Sequence, residues 1–183
     1  LDDDGETGVI LFDHRATMSG TVNAGNYQSF GKDIMKRKDV WGTTDYGKAM
    51  TLLREQAAGG SDFGRVPVYV MFVTDGGTEN RPLAEKQIMA ASSQGIFWKF
   101  MAIGPMPSGG GAKTSTGSGR KRLPSGFDFL AYLDDMEGRT VDNADFFAVT
   151  DPDAPTDAEF FDLMAQEYGG WLDAATKAGI LKG

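Results

Sequence analysis

The apolar positions of the chain fall into two kinds of run. Residues 66–73 (VPVYVMFV) and 96–103 (IFWKFMAI) are almost unbroken, the second interrupted only by Lys99. Continuous β-branched and aromatic runs of this length predict strands covered on both faces. Residues 7–12 (TGVILF) and 145–149 (DFFAV) predict two shorter strands. Elsewhere the apolar residues recur three and four apart. Tyr46, Met50, Leu53 and Ala57 predict a helix over 46–58, capped by Thr43, Thr44 or Asp45 and closed by Gly59-Gly60. Asn80-Arg81-Pro82 opens another, with Ala84, Ile88 and Ala91 facing inward and Gly95 beyond its end. Phe127, Leu130, Ala131 and Leu133 predict a short helix ending near Gly138. Thr156-Asp157-Ala158-Glu159 is a capping box. The helix it opens carries the stripe Phe160, Leu163, Met164, Tyr168, Trp171 and Leu172, with a bend or break expected at Gly169-Gly170.

Between these elements, residues 19–33 are rich in Gly, Asn and Ser, which predicts a loop with a helical piece around 27–30. Lys36, Arg37 and Lys38 read as a solvated face. Strand, helix and strand over 66–103 predict a right-handed crossover and parallel pairing. The fold class is therefore α/β: a doubly wound, mainly parallel sheet flanked by helices, in a single domain over 1–183. Residues 105–125 interrupt it with a Gly/Ser-rich, locally basic insertion, read as a flexible loop.

Composition narrows the function. Hydrophobic residues make up 40% of 183, enough for a core. A net charge of −8 argues against nucleic acid as partner, because phosphate binding needs a basic face. There is no cysteine and one histidine, His14. This excludes thiolate chemistry, a His-based triad and a multi-histidine metal site. No apolar run approaches the roughly 18–20 residues of a membrane span, and the acidic start offers no signal peptide.

Three motifs invite a ligand. Asp2-Asp3-Asp4-Gly5 lacks the alternation of a calcium loop, and Leu11 stands where its final Glu belongs, so it reads as a solvated turn. Lys113-Thr114 would belong to a phosphate loop only if glycine stood at both positions five residues apart upstream of it; the chain has Pro107 and Ala112 there. Asp75 is different. It ends the central apolar run as Thr74-Asp75-Gly76, and ligands of open α/β sheets bind just beyond the carboxyl ends of their strands.

Phe72-Val73-Thr74-Asp75-Gly76, with Gly42-Thr43-Thr44-Asp45-Tyr46 upstream, resembles the von Willebrand factor A (vWA) domain. Ile96-Phe97-Trp98-Lys99-Phe100, Phe129-Leu130-Ala131-Tyr132-Leu133-Asp134, Val141 to Phe147 and the closing Trp171-Leu172-Asp173-Ala174-Ala175 resemble its bacterial tellurium-resistance and stress-response (TerF-like) type. The resemblance implies a metal-ion-dependent adhesion site at the top of the sheet. Carried across, Thr44 matches the family's threonine ligand, with Thr43 as the fallback, and Asp75 matches its aspartate. Asp45, Thr74, Gly76 and Glu79 would shape the loops around the ion. Mg²⁺ or Ca²⁺ is the implied cofactor, a hard cation suited to oxygen donors, and a partner's carboxylate would complete its shell.

The family's Asp-x-Ser-x-Ser loop occurs nowhere in this chain. By resemblance the first strand and first helix are absent. That strand is normally central, so the strands at 7–12 and 66–73 are expected to face a gap of roughly 10 Å. A separate chain or an upstream segment is expected to supply the missing strand and loop. The function implied is a non-enzymatic protein-interaction module of a bacterial, cytoplasmic stress response. A metal-independent structural subunit of a larger, phage- or injection-machine-like assembly is the alternative. An enzyme would need a phosphate loop or a nucleophile–base pair, and neither is found.

Overall fold

The computed structural model describes residues 5–37, 42–105, 113–114 and 127–182. The acidic turn at 2–4 and nearly all of the 105–125 insertion lie outside the described residues. Asp13-His14-Arg15 does more than end a strand. It turns β1 (Glu6–Phe12) back into β2 (Ala16–Asn23) as an antiparallel hairpin, paired from Glu6↔Asn23 to Phe12↔Ala16. Asp13 Oδ1 accepts from the Arg15 amide at 2.7 Å, and the Asp13 amide donates to the Arg15 carbonyl at 2.9 Å.

β2 occupies residues expected to be loop from 19 onward. Its alternation is carried by small residues and most of it is exposed or half-buried, so periodicity marks it weakly. Pairing with β1 makes it a strand. The helical piece expected at 27–30 extends into α1 (Tyr27–Lys36). α2 (Tyr46–Ala58) follows, with Asp45 as its N-cap and Gly59 as its C-cap.

β3 (Val68–Thr74), α3 (Arg81–Ala91) and β4 (Ile96–Ile103) form the expected parallel unit, in register from Val68↔Ile96 to Thr74↔Ala102. The short β5 (Lys113–Thr114) and α4 (Phe127–Asp134) precede β6 (Ala144–Val149). β6 pairs in parallel with β4, and β5 lies antiparallel along its far side, so the sheet order is β3-β4-β6-β5.

Alternate side chains cover both faces. Val70, Phe72, Trp98, Phe100 and Phe146 pack with Tyr46, Met50, Ile88 and Leu130 from α2, α3 and α4. On the other face Phe97 meets Trp171 and Ala175, while Met101 and Phe147 meet Phe160 and Leu163. These come from α5 (Asp157–Ala165) and α6 (Tyr168–Lys177). The expected single last helix is thus two. The break falls at Gln166 and Glu167, where Glu167 takes the left-handed conformation (φ 62°). Gly169 and Gly170 lie inside the first turn of α6.

β4 and β6 are buried on both faces, as continuous apolar runs predict. β3 is not. Among the described residues it is the edge of its sheet, with Val73 44% exposed and Val66, just before it, 57% exposed. β1 forms no ladder with β3; the hairpin is a sheet of its own. The two strands are in side-chain contact, Phe12 lying on Phe72 with ring centroids 4.8 Å apart. Among the described residues no backbone ladder joins them.

Candidate functional site

The carboxyl end of β3 meets the amino end of α2 through a set of backbone-directed bonds. The Thr44 carbonyl accepts from the Glu79 amide at 3.0 Å and from Thr78 Oγ1 at 3.1 Å. Thr78 Oγ1 accepts in turn from the Tyr46 amide at 3.0 Å. The Asp45 amide donates to the Asp13 carbonyl at 2.8 Å, and Lys48 Nζ to the His14 carbonyl at 2.6 Å. Three loops, at 13–15, 42–46 and 74–80, are therefore tied into one surface. A Cβ at Gly42 would stand 2.7 Å from His14 Nδ1, so a larger residue there would displace the exposed imidazole.

Tyr46 is the keystone beneath that surface. It is fully buried and stacks edge-on against Phe72, centroids 5.0 Å apart. Its hydroxyl lies 3.1 Å from Thr74 Oγ1 and donates to the Gly76 carbonyl. Burial pushes its phenol up to about 12; the Thr74 contact lowers it, and the nearby Asp75 charge raises it. Tyr46 thus anchors both ends of the turn that carries Asp75.

The sequence-derived residues divide by role. Asp75 is exposed and Thr44 half-buried, so both reach the surface. Thr43 is exposed beside them. Asp45 is buried and its Oδ1 accepts from the Lys48 amide at 3.2 Å, which spends the carboxylate on capping α2. Thr74 is buried and its hydroxyl faces Tyr46. Gly76 and Glu79 act through backbone atoms. The hydroxyl of Thr44 and the carboxylate of Asp75 are hard oxygen donors of the kind Mg²⁺ or Ca²⁺ prefers, but they are two against a shell of about six. An ion held there would need its remaining donors from elsewhere.

Asp13, at the rim, is marked by the sequence only as the end of a strand. It is buried, its Oδ1 lies 3.2 Å from His14 Nδ1, and the Arg15 amide holds its carboxyl below the usual range. Its neighbourhood is legible only after the hairpin folds.

A second polar constellation lies on the other face of the sheet. Asp45, Asp75 and Glu79 do not form a three-carboxylate group. Among the described residues the acidic oxygens that come within 4.8 Å of one another belong to Asp134, Asp145 and Glu167. Asp145 is opposite Lys99 in the β4–β6 ladder. Both are fully buried, and Lys99 Nζ contacts Asp145 Oδ2. Lys99 Nζ also lies 3.5 Å from the Gln166 carbonyl and 5.3 Å from the centre of the Phe147 ring. Burial raises the Glu167 carboxyl, and the charges of Asp145 and Asp142 raise it further, against an opposing pull from Lys99. The sequence shows Lys99 only as the one charge in an apolar run. Its partner cannot be named without the register.

Two comparisons bear on identity. The uncharacterized protein YcbR of Bacillus subtilis (strain 168) is 26% identical over 188 residues, spanning 100% of this chain and 67% of that protein. The family model for the vWA domain found in the TerF C terminus matches residues 1–181. With a doubly covered parallel sheet and a Thr-Asp-Gly turn at the end of β3, the chain belongs to the TerF-like vWA family.

Proposed function

We propose that this domain is a non-enzymatic interaction module that grips a protein partner through a divalent cation at Thr44 and Asp75. The observation that carries the reading is the conjunction at one end of β3. An exposed aspartate and a half-buried threonine lie there, on loops joined by backbone bonds through the Thr44 carbonyl. Beside them runs a strand with one edge unpaired in its sheet among the described residues. Rigid loops hold donor oxygens at constant geometry, which favours an ion whose shell a partner's carboxylate completes.

The open edge of β3 supports the second half of the proposal. A strand from another chain or from an upstream segment lies between β1 and β3. It bonds to the amide and carbonyl groups that β3 turns away from β4, and brings the remaining metal ligands with it. Unpaired strand edges are the template for such addition. The reading places the domain in a bacterial, cytoplasmic stress response of the tellurium-resistance type.

Titration of the longest natural form of the protein with Mg²⁺ and with Ca²⁺ tests the proposal. Binding heat and a rise in melting temperature are expected, both abolished by Asp75→Asn and reduced by Thr44→Ala. Absence of heat and of any thermal shift in the unmutated protein would sink the metal-dependent reading and favour the metal-independent structural subunit.

A further inference from the structure

The Lys99–Asp145 pair has a chemistry that the adhesion site does not use. The two side chains project from directly opposed positions of adjacent parallel strands. Both are at 0% exposure, and Nζ touches Oδ2. Asp145 Oδ1 has no hydrogen-bond partner among the described residues. Carboxylate oxygens of Asp134 and Glu167 stand within 4.8 Å of that of Asp145. The Phe147 ring covers the lysine, with Nζ 5.3 Å from its centre. The lysine ammonium already occupies the place beside Asp145 that a metal ion would take, so this cluster is poorly suited to a second cation.

We propose that Lys99 and Asp145 become joined by an intramolecular amide between Nζ and Cγ. The step begins with one proton passing from the ammonium to the carboxylate, which leaves a neutral amine against a carboxylic acid. Nζ attacks Cγ and forms the C–N bond. One carboxyl oxygen leaves as water, carrying the acid proton and one amine proton. The second amine proton stays on the amide nitrogen and the second oxygen remains as its carbonyl. Atoms and charge balance, and no oxidant, reductant or co-reactant is required.

Three features drive this step. Contact held by the ladder replaces a bimolecular encounter by an intramolecular one. The carboxyls of Asp134 and Glu167, each with an oxygen within 4.8 Å of one of Asp145, are the acidic groups near enough to relay a proton, directly or through a water. Glu167 is suited to that task, since its carboxyl is raised by burial and by neighbouring acids and so keeps a proton to higher pH. The product also removes two charges that had lost their hydration in the interior. Such a link would fasten β4 to β6 at the centre of the sheet, under the α5–α6 junction.

Mass spectrometry of the unmutated, denatured, full-length chain decides the matter without any variant. The expected mass is one water below that of the sequence. Cyclisation at Asp75-Gly76 also loses one water, so the decisive readout is a proteolytic product containing Lys99 linked to Asp145. Lys99→Met must abolish that product; Asp75→Asn, which probes only the adhesion site, must leave it intact. The double variant Asp134→Asn with Glu167→Gln should form the link at least about a hundredfold more slowly in freshly translated chain. A chain of full sequence mass with no linked peptide overturns the proposal, and an unchanged rate in the double variant overturns the proton relay.

Discussion

Asp75, just past β3, and Asp145, within β6, belong to one sheet and lie in opposite environments. Asp75 stands past the end of β3, exposed, on a turn whose geometry is set by Tyr46, Thr74 and Gly76. Asp145 lies within β6, at 0% exposure, against Lys99. The first keeps its hydration, so its charge is available to an ion or a partner. The second has lost its hydration and depends on a partner inside the protein. An exposed carboxylate can be exchanged at little energetic cost, whereas a buried one is bound up with the stability of the sheet. The exposed strand-end carboxylate and the buried mid-strand pair are thus separable in this molecule.

The largest expected effect tests that separation. Lys99→Ala leaves the Asp145 carboxylate buried with neither ion pair nor amide and should lower unfolding free energy by about 3–5 kcal/mol or more. Asp75→Asn should change it by no more than about 0.5 kcal/mol. Urea denaturation of both variants reads the contrast directly, and comparable losses would break it. Next in size is the packing beneath the exposed site. Gly47 in α2 faces α3 so closely that a Cβ would lie 2.4 Å from Leu83 Cγ. Gly47→Ala should cost about 1–3 kcal/mol through overpacking and disturb Thr44 from below.

Tyr46→Phe is a smaller and more informative change. It deletes the hydroxyl bonded to Gly76 and facing Thr74 while keeping the ring against Phe72. About 1 kcal/mol of stability should go. If Tyr46 positions the Asp75 turn, metal-binding heat falls more than stability does; equal affinity in variant and parent would assign the tyrosine to packing alone.

The smallest effect is in pH dependence, and it has opposite signs in the two regions. Asp13, near the exposed site, has its carboxyl lowered by the Arg15 amide. Its stabilisation is present above the ordinary carboxyl range and is lost as pH falls through its folded value. Glu167, near the buried pair, has its carboxyl raised by burial. The folded state therefore holds its proton more tightly than the unfolded state, and stability declines as pH rises from the ordinary range through the raised value. Asp13→Asn should flatten the acid limb and Glu167→Gln the limb above it, in thermal melts across pH. A Glu167→Gln profile identical to the parent's would show that the charges around Asp145 do not reach Glu167.

Much of this is legible in the sequence. The runs at 66–73 and 96–103 predict parallel strands, and β3 and β4 pair so. The 46–58 helix appears as α2 with the same ends, and the capping box opens α5. Covering helices on both faces follow from the same pattern. What periodicity cannot supply comes from contacts distant in sequence. β2 is a strand because β1 pairs with it. The α5–α6 break sits at Gln166–Glu167, over the Lys99 contact, while the glycines stay helical. At the candidate site, Thr44 and Asp75 are named by local motif, but the roles of Tyr46 and Asp13 are not, since each acts through a loop remote in sequence.

The division has a physical basis. Local chemistry determines what a short segment can be: an apolar run becomes a strand, a Thr-x-x-Glu opens a helix, and an Asp-Gly ends a strand with its carboxylate toward water. These outcomes need only neighbours within a few residues. Burial and partnership are set by surfaces that meet after folding. The sequence alone determined that the apolar run 66–73 would be a strand of a mainly parallel sheet and that Asp75 would follow its end. Only the tertiary structure decided that one face of this strand would stay partly exposed, and that Lys99, the one charge in the most apolar run, would face Asp145.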